Sequence, residues 1–526
     1  MIIFSFLAFT ALVAFISYRA TRTTDEYTSE GYFLGGRSLT ATVIAGSLLL
    51  TNLSTEQIIG LNGQAFEEGI LVMAWETLAA IAMVITAVFL LPNYLKGGII
   101  TIPQFLEERY DTPTKAITSG LFLTGYVVVL LPIVLYSGSL AISTMFNVPE
   151  LFGVSEETAI WICVFSIGTT GSIYAIFGGL KAVAVSDTIN AIGLLIGGLI
   201  IPIFGLIEIG DGSVLIGLEK LFVSHPEKFN VIGAGDSSIP FGTIFTGMML
   251  VQLFYWGTNQ AIIQRALGAK NLKEGQKGLL MGAFIKILGP LIVVLPGIIA
   301  FYLFGDTISN PDKAYPELVN KVLPTALIGF FAAVLFGAIL SSFNSTLNSS
   351  ITLFGIDIYK EYINKEASEH QVVHAGKIFG LFLALSAMFI APFIAKAPDG
   401  LFGYLQKVNG CYSIPILTII LVGYLTKRVP AIAAKVAILL GAILYLIYIV
   451  LDTTILEGKF PHFLHMMGII FLFNVILMLF IGKIYPRENS FVLEYTKNVA
   501  IIPWKYVKLI SVLICVIVIY IYFIFS

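Results

Sequence analysis

A seven-residue polar run, Thr51 to Gln57 (TNLSTEQ), lies inside sequence that is otherwise greasy: ATVIAGSLLL (residues 41–50) leads into it and Ile58, Ile59 and Gly60 follow. The surroundings make this costly. The chain is 57% hydrophobic and only 12% charged, about half the charged fraction of a soluble domain, so lipid is its main solvent. In hydrocarbon an unpaired backbone group costs several kcal/mol. An uncovered carboxylate at the centre of a helix costs at least about 2.5 kcal/mol. A membrane helix keeps such a stretch only where it faces protein, water or a ligand. The run therefore reads as one half of a binding site at mid-membrane.

Apolar runs of about 20 residues predict an all-α membrane protein with fourteen spans, near 1–18, 39–70, 71–95, 114–146, 157–178, 183–208, 241–268, 275–304, 322–359, 375–396, 402–425, 430–451, 460–482 and 504–525. Several are longer than a bilayer needs, which implies tilt or a break. With both termini outside, most of the 30 lysines and arginines fall in cytoplasmic segments, among them Arg109, Lys115 and Arg265. Few fall outside. That asymmetry supports the count and the orientation in a plasma membrane (the inner membrane, in a bacterium). Residues 1–18 lack a positive leader and a small-residue cleavage site, so they read as an uncleaved anchor.

The polar interruption has an echo. QLFYWGTNQ (252–260) breaks a span about two hundred residues later that runs the opposite way. Paired interrupted helices in corresponding positions point to an inverted-repeat secondary transporter. The predicted organisation is an anchor and cytoplasmic linker over 1–38, a first repeat over 39–208 and an extracellular loop over 209–240. A second repeat follows over 241–425, then accessory helices over 426–526.

Ionisable and amide side chains inside spans are functional candidates. Glu76 and Lys286 sit in the second span of each half. They would neutralise one another and still offer an acceptor and three donors, or act only as a lock on the bundle. Gln57, Gln252, Tyr255, Trp256 and Gln406 supply the mixture of directional hydrogen bonds and flat rings that a sugar needs, although a Tyr-Trp pair also suits a membrane interface. Ser341 and Ser342, in FGAILSSFNSTLNSS, offer neutral oxygens to a small hard cation. Carbonyls freed near Leu50 and Leu53 would complete its shell. Asp187 would add charge for a second ion, or simply favour a helix N-terminus. Lys407 reads as a side chain snorkelling to the outer face. The helix expected over 102–110 (IPQFLEERY) reads as interfacial. Cys163, Cys411 and Cys515 read as small packing residues. The five histidines lie in loops or near span ends with no nucleophile–base pairing, which argues against an enzyme. Nothing suggests a nucleic-acid partner or an obligate protein partner.

These residues resemble the sodium/solute symporter family, specifically its bacterial sodium/galactose and animal sodium/glucose branch. GYFLGGRSL (31–39), NLSTEQIIG (52–60), YAIFGGLKAVAVSD (174–187), FYWGTNQAIIQRALGAK (254–270) and SSFNSTLNSSITLFGIDIYKEYI (341–363) carry the likeness. The resemblance implies a LeuT-type core of two inverted five-helix repeats and alternating access driven by co-transported sodium. It puts sugar ligands at Asn52, Gln57, Glu76, Gln252, Lys286 and Gln406, and an aromatic inner gate at Tyr255, followed by Trp256. It puts a sodium site at the carbonyls of Leu50, Leu53 and Ala338 with the hydroxyls of Ser341 and Ser342, and a second one at Asp187 and Ser345. Departures from the pattern are Gln252 for Asn, Ala79 for a sugar-binding Ser, Leu130 for Asn, and Asn344 at a hydroxyl position of the second sodium site. The expected function is sodium-coupled import of a monosaccharide or similar polyol. Two alternatives are a carboxylate solute (proline, pantothenate or sialic acid) in the same fold, and a solute sensor that does not transport. The sensor reading is disfavoured because the sequence ends at Ser526 with no signalling domain after the last span.

Overall fold

The computed structural model describes residues 28–396, 401–454 and 458–526, with scattered positions between 7 and 19. The anchor expected over 1–18 falls largely outside these described residues. Helices account for the fold, and pairing in the strand manner is confined, among the described residues, to one bridge between Leu39 and Ala269. There the Leu39 amide donates to Gly268 at 3.1 Å and the Lys270 amide to Leu39 at 3.0 Å. The bridge ties the chain entering the first polar-interrupted span to the chain leaving the second.

Among the described residues, ten helices are long and apolar enough to cross a bilayer, or eleven counting Leu272–Leu288 with Pro290–Phe304, which meet at a 44° bend. That is fewer than the fourteen expected, and the broken spans account for part of the difference. The span expected over 39–70 is two short helices, Ala41–Asn52 and Thr55–Glu68. The second of these passes through a tight turn, Gly69–Met73, into Ala74–Ile85, and the whole forms one stretch, Thr55–Gly97. The span expected over 241–268 is likewise two short helices, Gly247–Gly257 and Gln260–Leu267. The 44° bend follows Gly289 and Pro290, where a missing amide and a flexible residue weaken the helix.

Burial separates core from periphery. The most apolar window of Leu327–Ile363 is 78% buried, against 22% for Val507–Ile524. The hydroxyl-rich helix Thr325–Thr352 is thus central, and the C-terminal helices offer Leu, Ile and Phe side chains to lipid. Both halves of the helical stretch Glu156–Ile209 pack on that central helix: Gly171 meets Phe343, and Asn190 meets Gly337.

Three basic side chains that the sequence places in cytoplasmic segments are buried. Arg109 donates to the carbonyls of Gly423 (2.9 Å), Thr426 and Val429 (3.1 Å each), satisfying oxygens left free where Leu401–Leu425 ends. Lys115 pairs with Glu107 at 2.6 Å, and Arg265 lies in the interior. The expected interfacial helix, Ile102–Arg109, is closed by a reciprocal cap of Thr101 and Gln104 and is largely buried. Lys407 does not snorkel; it pairs with Asp452 at 2.7 Å.

Candidate functional site

The leading half of the first broken span stops where Leu53 (ψ 54°) and Ser54 (ψ 175°) leave helical geometry, and the trailing half restarts at Thr55. The break exposes carbonyls at the end of one half and amides at the start of the other, inside the protein. Side chains from Thr51 to Glu56 are all buried, and Gln57 is half-buried. In the other half the helix ends at Gly257, one turn later than the sequence interruption begins. Thr258 and Asn259 form the break. Asn259 fixes it: its Oδ1 accepts from the Ala261 amide at 3.0 Å and from the Tyr126 hydroxyl at 2.7 Å.

Most of the expected solute residues gather between these breaks. Lys286 Nζ donates to both oxygens of Glu76, at 2.7 and 2.6 Å, and both side chains are 1% exposed. The same ammonium lies 5.6 Å from the centre of the Trp256 ring. Gly289 allows this approach, because a Cβ there would collide with the Glu76 carboxylate. Gln252 donates to the Trp75 carbonyl at 2.7 Å, joining the second broken span to the helix that carries Glu76. The Tyr255 side chain meets Asn52, and its ring packs edge-on against Trp256. Gln406 is half-buried and lies one turn beyond Phe402, whose ring stands edge-on to Trp75, 5.2 Å between centres, and whose backbone closes on Gly60.

Helical spacing puts Glu56, Gln57, Gly60 and Gln64 on one face of Thr55–Glu68, the face that meets Phe402. Here the interior is unusually short of partners. Asn52 Oδ1, Glu56 Oε2, Gln57 Oε1, Gln64 Oε1 and Trp75 Nε1 are buried with no hydrogen-bond partner in the protein. Buried polar atoms are normally paired, so these five orphans, on the two halves of the first broken span and on Ala74–Ile85, are candidates to hydrogen-bond something else. Glu56, Gln64 and Trp75 are additions to the sequence-based set. Gln64 carried a signal, being seven residues from Gln57 on the same face.

The cation-binding candidates surround the first break. Ser342 donates to the Thr51 carbonyl at 3.1 Å, and the Thr51 hydroxyl lies 3.5 Å from Ser341 Oγ and 3.2 Å from Ser345 Oγ. Leu50, Leu53 and Ala338 are fully or nearly fully buried alongside, with Ala338 one turn ahead of the two serines. The Thr51 carbonyl and hydroxyl thus join the expected oxygen set.

Asp187 and Ser345 are occupied differently from expectation. Asp187 accepts from Ser47 at 2.7 Å, and Ser47 in turn accepts from Arg265 Nε at 3.2 Å. The Arg265 guanidinium also donates to Ser345 Oγ and to the Ala261 carbonyl. Arg265 is wholly buried. A tethered cation therefore stands where the second sodium was expected, supported by a helix beginning immediately after the second break.

Comparison with known proteins adds to this geometry. A model of the sodium:solute symporter family matches residues 32–441. A protein of Escherichia coli (strain K12), described as the uncharacterized symporter YidK, is 50% identical over 513 residues, covering 97% of this chain and 88% of its own length. The sodium/glucose cotransporter of Vibrio parahaemolyticus is 34% identical over 428 residues, 77% of this chain and 76% of its own. The solved structure of a Na+-coupled sialic acid symporter, substrate-bound and outward-open, aligns with a TM-score of 0.78 at 19% identity, over 93% of this chain and 99% of that one. At that identity the likeness speaks for the fold alone: all-α, multi-pass and related to LeuT-like symporters.

Proposed function

Because the chain belongs to the sodium:solute symporter family, we propose that it imports a monosaccharide or similar polyol together with sodium by alternating access. Membership makes it a sodium-coupled membrane transport protein and not an enzyme. The solute class, and the branch of sugar transporters within the family, are the proposal.

The observation that carries it is the chemistry of the orphaned atoms. Four of the five are acceptor oxygens, on Asn52, Glu56, Gln57 and Gln64, with the Trp75 N–H as the one donor. A polyol brings several O–H donors and an oxygen or two to accept. A carboxylate group brings none of the donors this surface lacks. Lys286, the cation a carboxylate solute would want, is already held by Glu76. The rings of Trp75, Tyr255, Trp256 and Phe402 provide apolar faces of the kind a pyranose stacks on.

In this reading Asn52, Gln57, Glu76, Gln252, Lys286 and Gln406 bind the solute, and Tyr255 with Trp256 closes it from the cytoplasm. Sodium takes carbonyls of Leu50, Leu53 and Ala338 and the hydroxyls of Ser341 and Ser342, pinning the first break to the helix Thr325–Thr352. Thr51, whose hydroxyl already touches Ser341 and Ser345 and whose carbonyl accepts from Ser342, joins that set. Asp187 and Ser345 form a second cation site only when Arg265 withdraws. Fourteen crossings, each broken span counted once, comprise the anchor at 1–18, two inverted five-helix repeats (39–208 and 241–425) and three C-terminal helices, with both termini outside the plasma membrane. One charge moved across about 100 mV supplies about 2.3 kcal/mol, roughly fifty-fold accumulation per ion.

Competition decides between solute classes. Sodium-driven uptake of labelled glucose, galactose and myo-inositol into proteoliposomes is challenged with proline, pantothenate and sialic acid. The proposal expects at least one polyol to be carried and none of the carboxylates to compete. Transport of a carboxylate with no polyol transported would overturn it.

A further inference from the structure

Three of the sequence blocks that carry the family likeness meet on one short loop. The loop 98–101 leaves the stretch Thr55–Gly97 through a left-handed glycine (Gly98, φ 65°) and enters the helix Ile102–Arg109. Arg37, from GYFLGGRSL, donates to the carbonyls of Gly98 at 2.8 Å and Ile99 at 3.3 Å. Gln260, from FYWGTNQAIIQRALGAK, holds the next part: its Nε2 donates to the Ile100 carbonyl at 3.2 Å, and its Oε1 accepts from the Ile102 amide at 2.9 Å. Asp357, from GIDIYKEYI, accepts from the Thr101 hydroxyl at 3.0 Å and from Ser119 at 2.9 Å. Gln260 and Asp357 are fully buried. None of the solute or sodium candidates takes part in these bonds, so binding does not explain them.

Gln260 also opens the eight-residue helix that follows the second break, Gln260–Leu267. Side chains four apart share a helix face, and Gln264 continues the grip. It donates to the Phe33 carbonyl at 2.8 Å and to the Thr352 hydroxyl at 3.0 Å, and it accepts from Ser349 at 2.8 Å. Pulling either glutamine away leaves buried donors and acceptors that only water could satisfy. Arg265, between them in sequence, donates to Ser345 and Ser47, and Ser345 Oγ lies 3.2 Å from the Thr51 hydroxyl. One short helix therefore touches the surroundings of the cation candidates with its guanidinium. With its two amides it touches the loop 98–101 and the end of the central helix Thr325–Thr352.

We infer that Gln260–Leu267 is the latch that shuts the cytoplasmic side, with Gln260 and Gln264 as the residues that hold it and Arg265 as its contact with the cation site. The inference rests on the alternating-access reading above, including the orientation that puts 98–101 in the cytoplasm. Sodium entering from outside meets its site while the cytoplasmic side is shut, so the state with both glutamines engaged is the one it favours. Release of the ion lets the latch open, and water takes over the hydrogen bonds of Ser349, Thr352 and the loop. A ligand shifts such an equilibrium only by its differential affinity for the two states. Weakening the latch therefore weakens sodium binding by as much as the shut fraction falls.

Hydrogen exchange on the full chain in nanodiscs, with ²²Na⁺ binding on the same preparations, tests this without knowledge of the solute. In the wild-type protein, peptides covering 98–109 should exchange several-fold more slowly in saturating sodium than in choline. Gln260→Leu with Gln264→Leu removes the grip at similar volume; sodium should then bind roughly tenfold more weakly and no longer slow exchange in that segment. Thr352→Val, a milder change made from the other side of the contact, should weaken sodium by about two- to threefold. Glutamines that merely pack the fold would lower the thermal unfolding midpoint when replaced, yet leave sodium affinity and its protection of 98–109 intact, and that result overturns the inference. So does a wild-type chain that binds sodium without slowing exchange there, a measurement that stays decisive even where a variant fails to fold. Absence of any sodium binding by the wild-type protein would instead sink the transport reading on which the latch rests.

Discussion

Replacing Lys286 with methionine separates the two things its ion pair with Glu76 can do. The ammonium lies 2.6 and 2.7 Å from the Glu76 oxygens, with both side chains 1% exposed. Solvent screening is therefore negligible, and the carboxylate left behind has nowhere to find water. Removing one member of a buried pair costs about 3–5 kcal/mol, whereas replacing both members by neutral groups of similar volume is close to neutral. Lys286→Met should accordingly destabilise by about 3–5 kcal/mol. Lys286→Met combined with Glu76→Gln should return to within about 1 kcal/mol of wild type. Stability is measured by denaturant unfolding in mixed micelles, followed by tryptophan fluorescence, alongside uptake of the polyol identified in the competition assay. Neither variant should transport, because the ammonium donors of Lys286 are gone in both. Normal uptake by the stable double variant would show that the pair only locks the bundle. A single variant as stable as wild type would refute the electrostatic argument itself.

Three further outcomes follow from individual contacts. Ser342→Ala removes a hydroxyl from the expected sodium shell and the 3.1 Å bond to the Thr51 carbonyl; the half-saturating sodium concentration for uptake should rise several-fold with maximal rate little changed. Asn259→Ala strips the second break of its cap and of the Tyr126 partner, at a cost of about 1–2 kcal/mol in the same unfolding assay. Asp111 caps the helix starting at Thr112 and pairs with Lys435 at 2.6 Å. Burial works to raise its pKa, but the hydrogen bonds from Lys435 and Thr114 win and hold it below the ordinary carboxylate value. Its contribution is therefore full above the usual carboxylate range and lost as pH falls through it. Asp111→Ala should cost about 1 kcal/mol at neutral pH, with the gap to wild type closing in strong acid.

What could be read from the sequence was local. The first break was legible because polar residues inside an apolar run have one affordable explanation, and it falls within Thr51–Gln57. The second lies at Thr258–Asn259, at the far end of its polar stretch, because Asn259 is the residue able to cap the following helix while accepting from Tyr126. Glu76 and Lys286 could be paired because each demanded an opposite charge at similar depth. Arg265 could not be assigned in this way: near the end of a span it reads like any basic loop residue, and its engagement with Ser47 and Ser345 is a product of packing between segments far apart in the chain. Lys407 is similar, its partner Asp452 lying 45 residues away on another helix. Trp75 carried no signal in the sequence, and its buried, unpartnered indole N–H is what adds it to the set.

Accumulation against a gradient tests the whole account most directly. Proteoliposomes containing the purified chain are loaded without sodium and given the labelled polyol with sodium outside, or with sodium equal on both sides and no membrane potential. The account predicts an overshoot well above equilibrium in the first case and simple equilibration in the second. Equal accumulation in both would mean that solute movement is not tied to the ion, and the buried oxygens at Leu53, Ser341 and Ser342 would need another purpose.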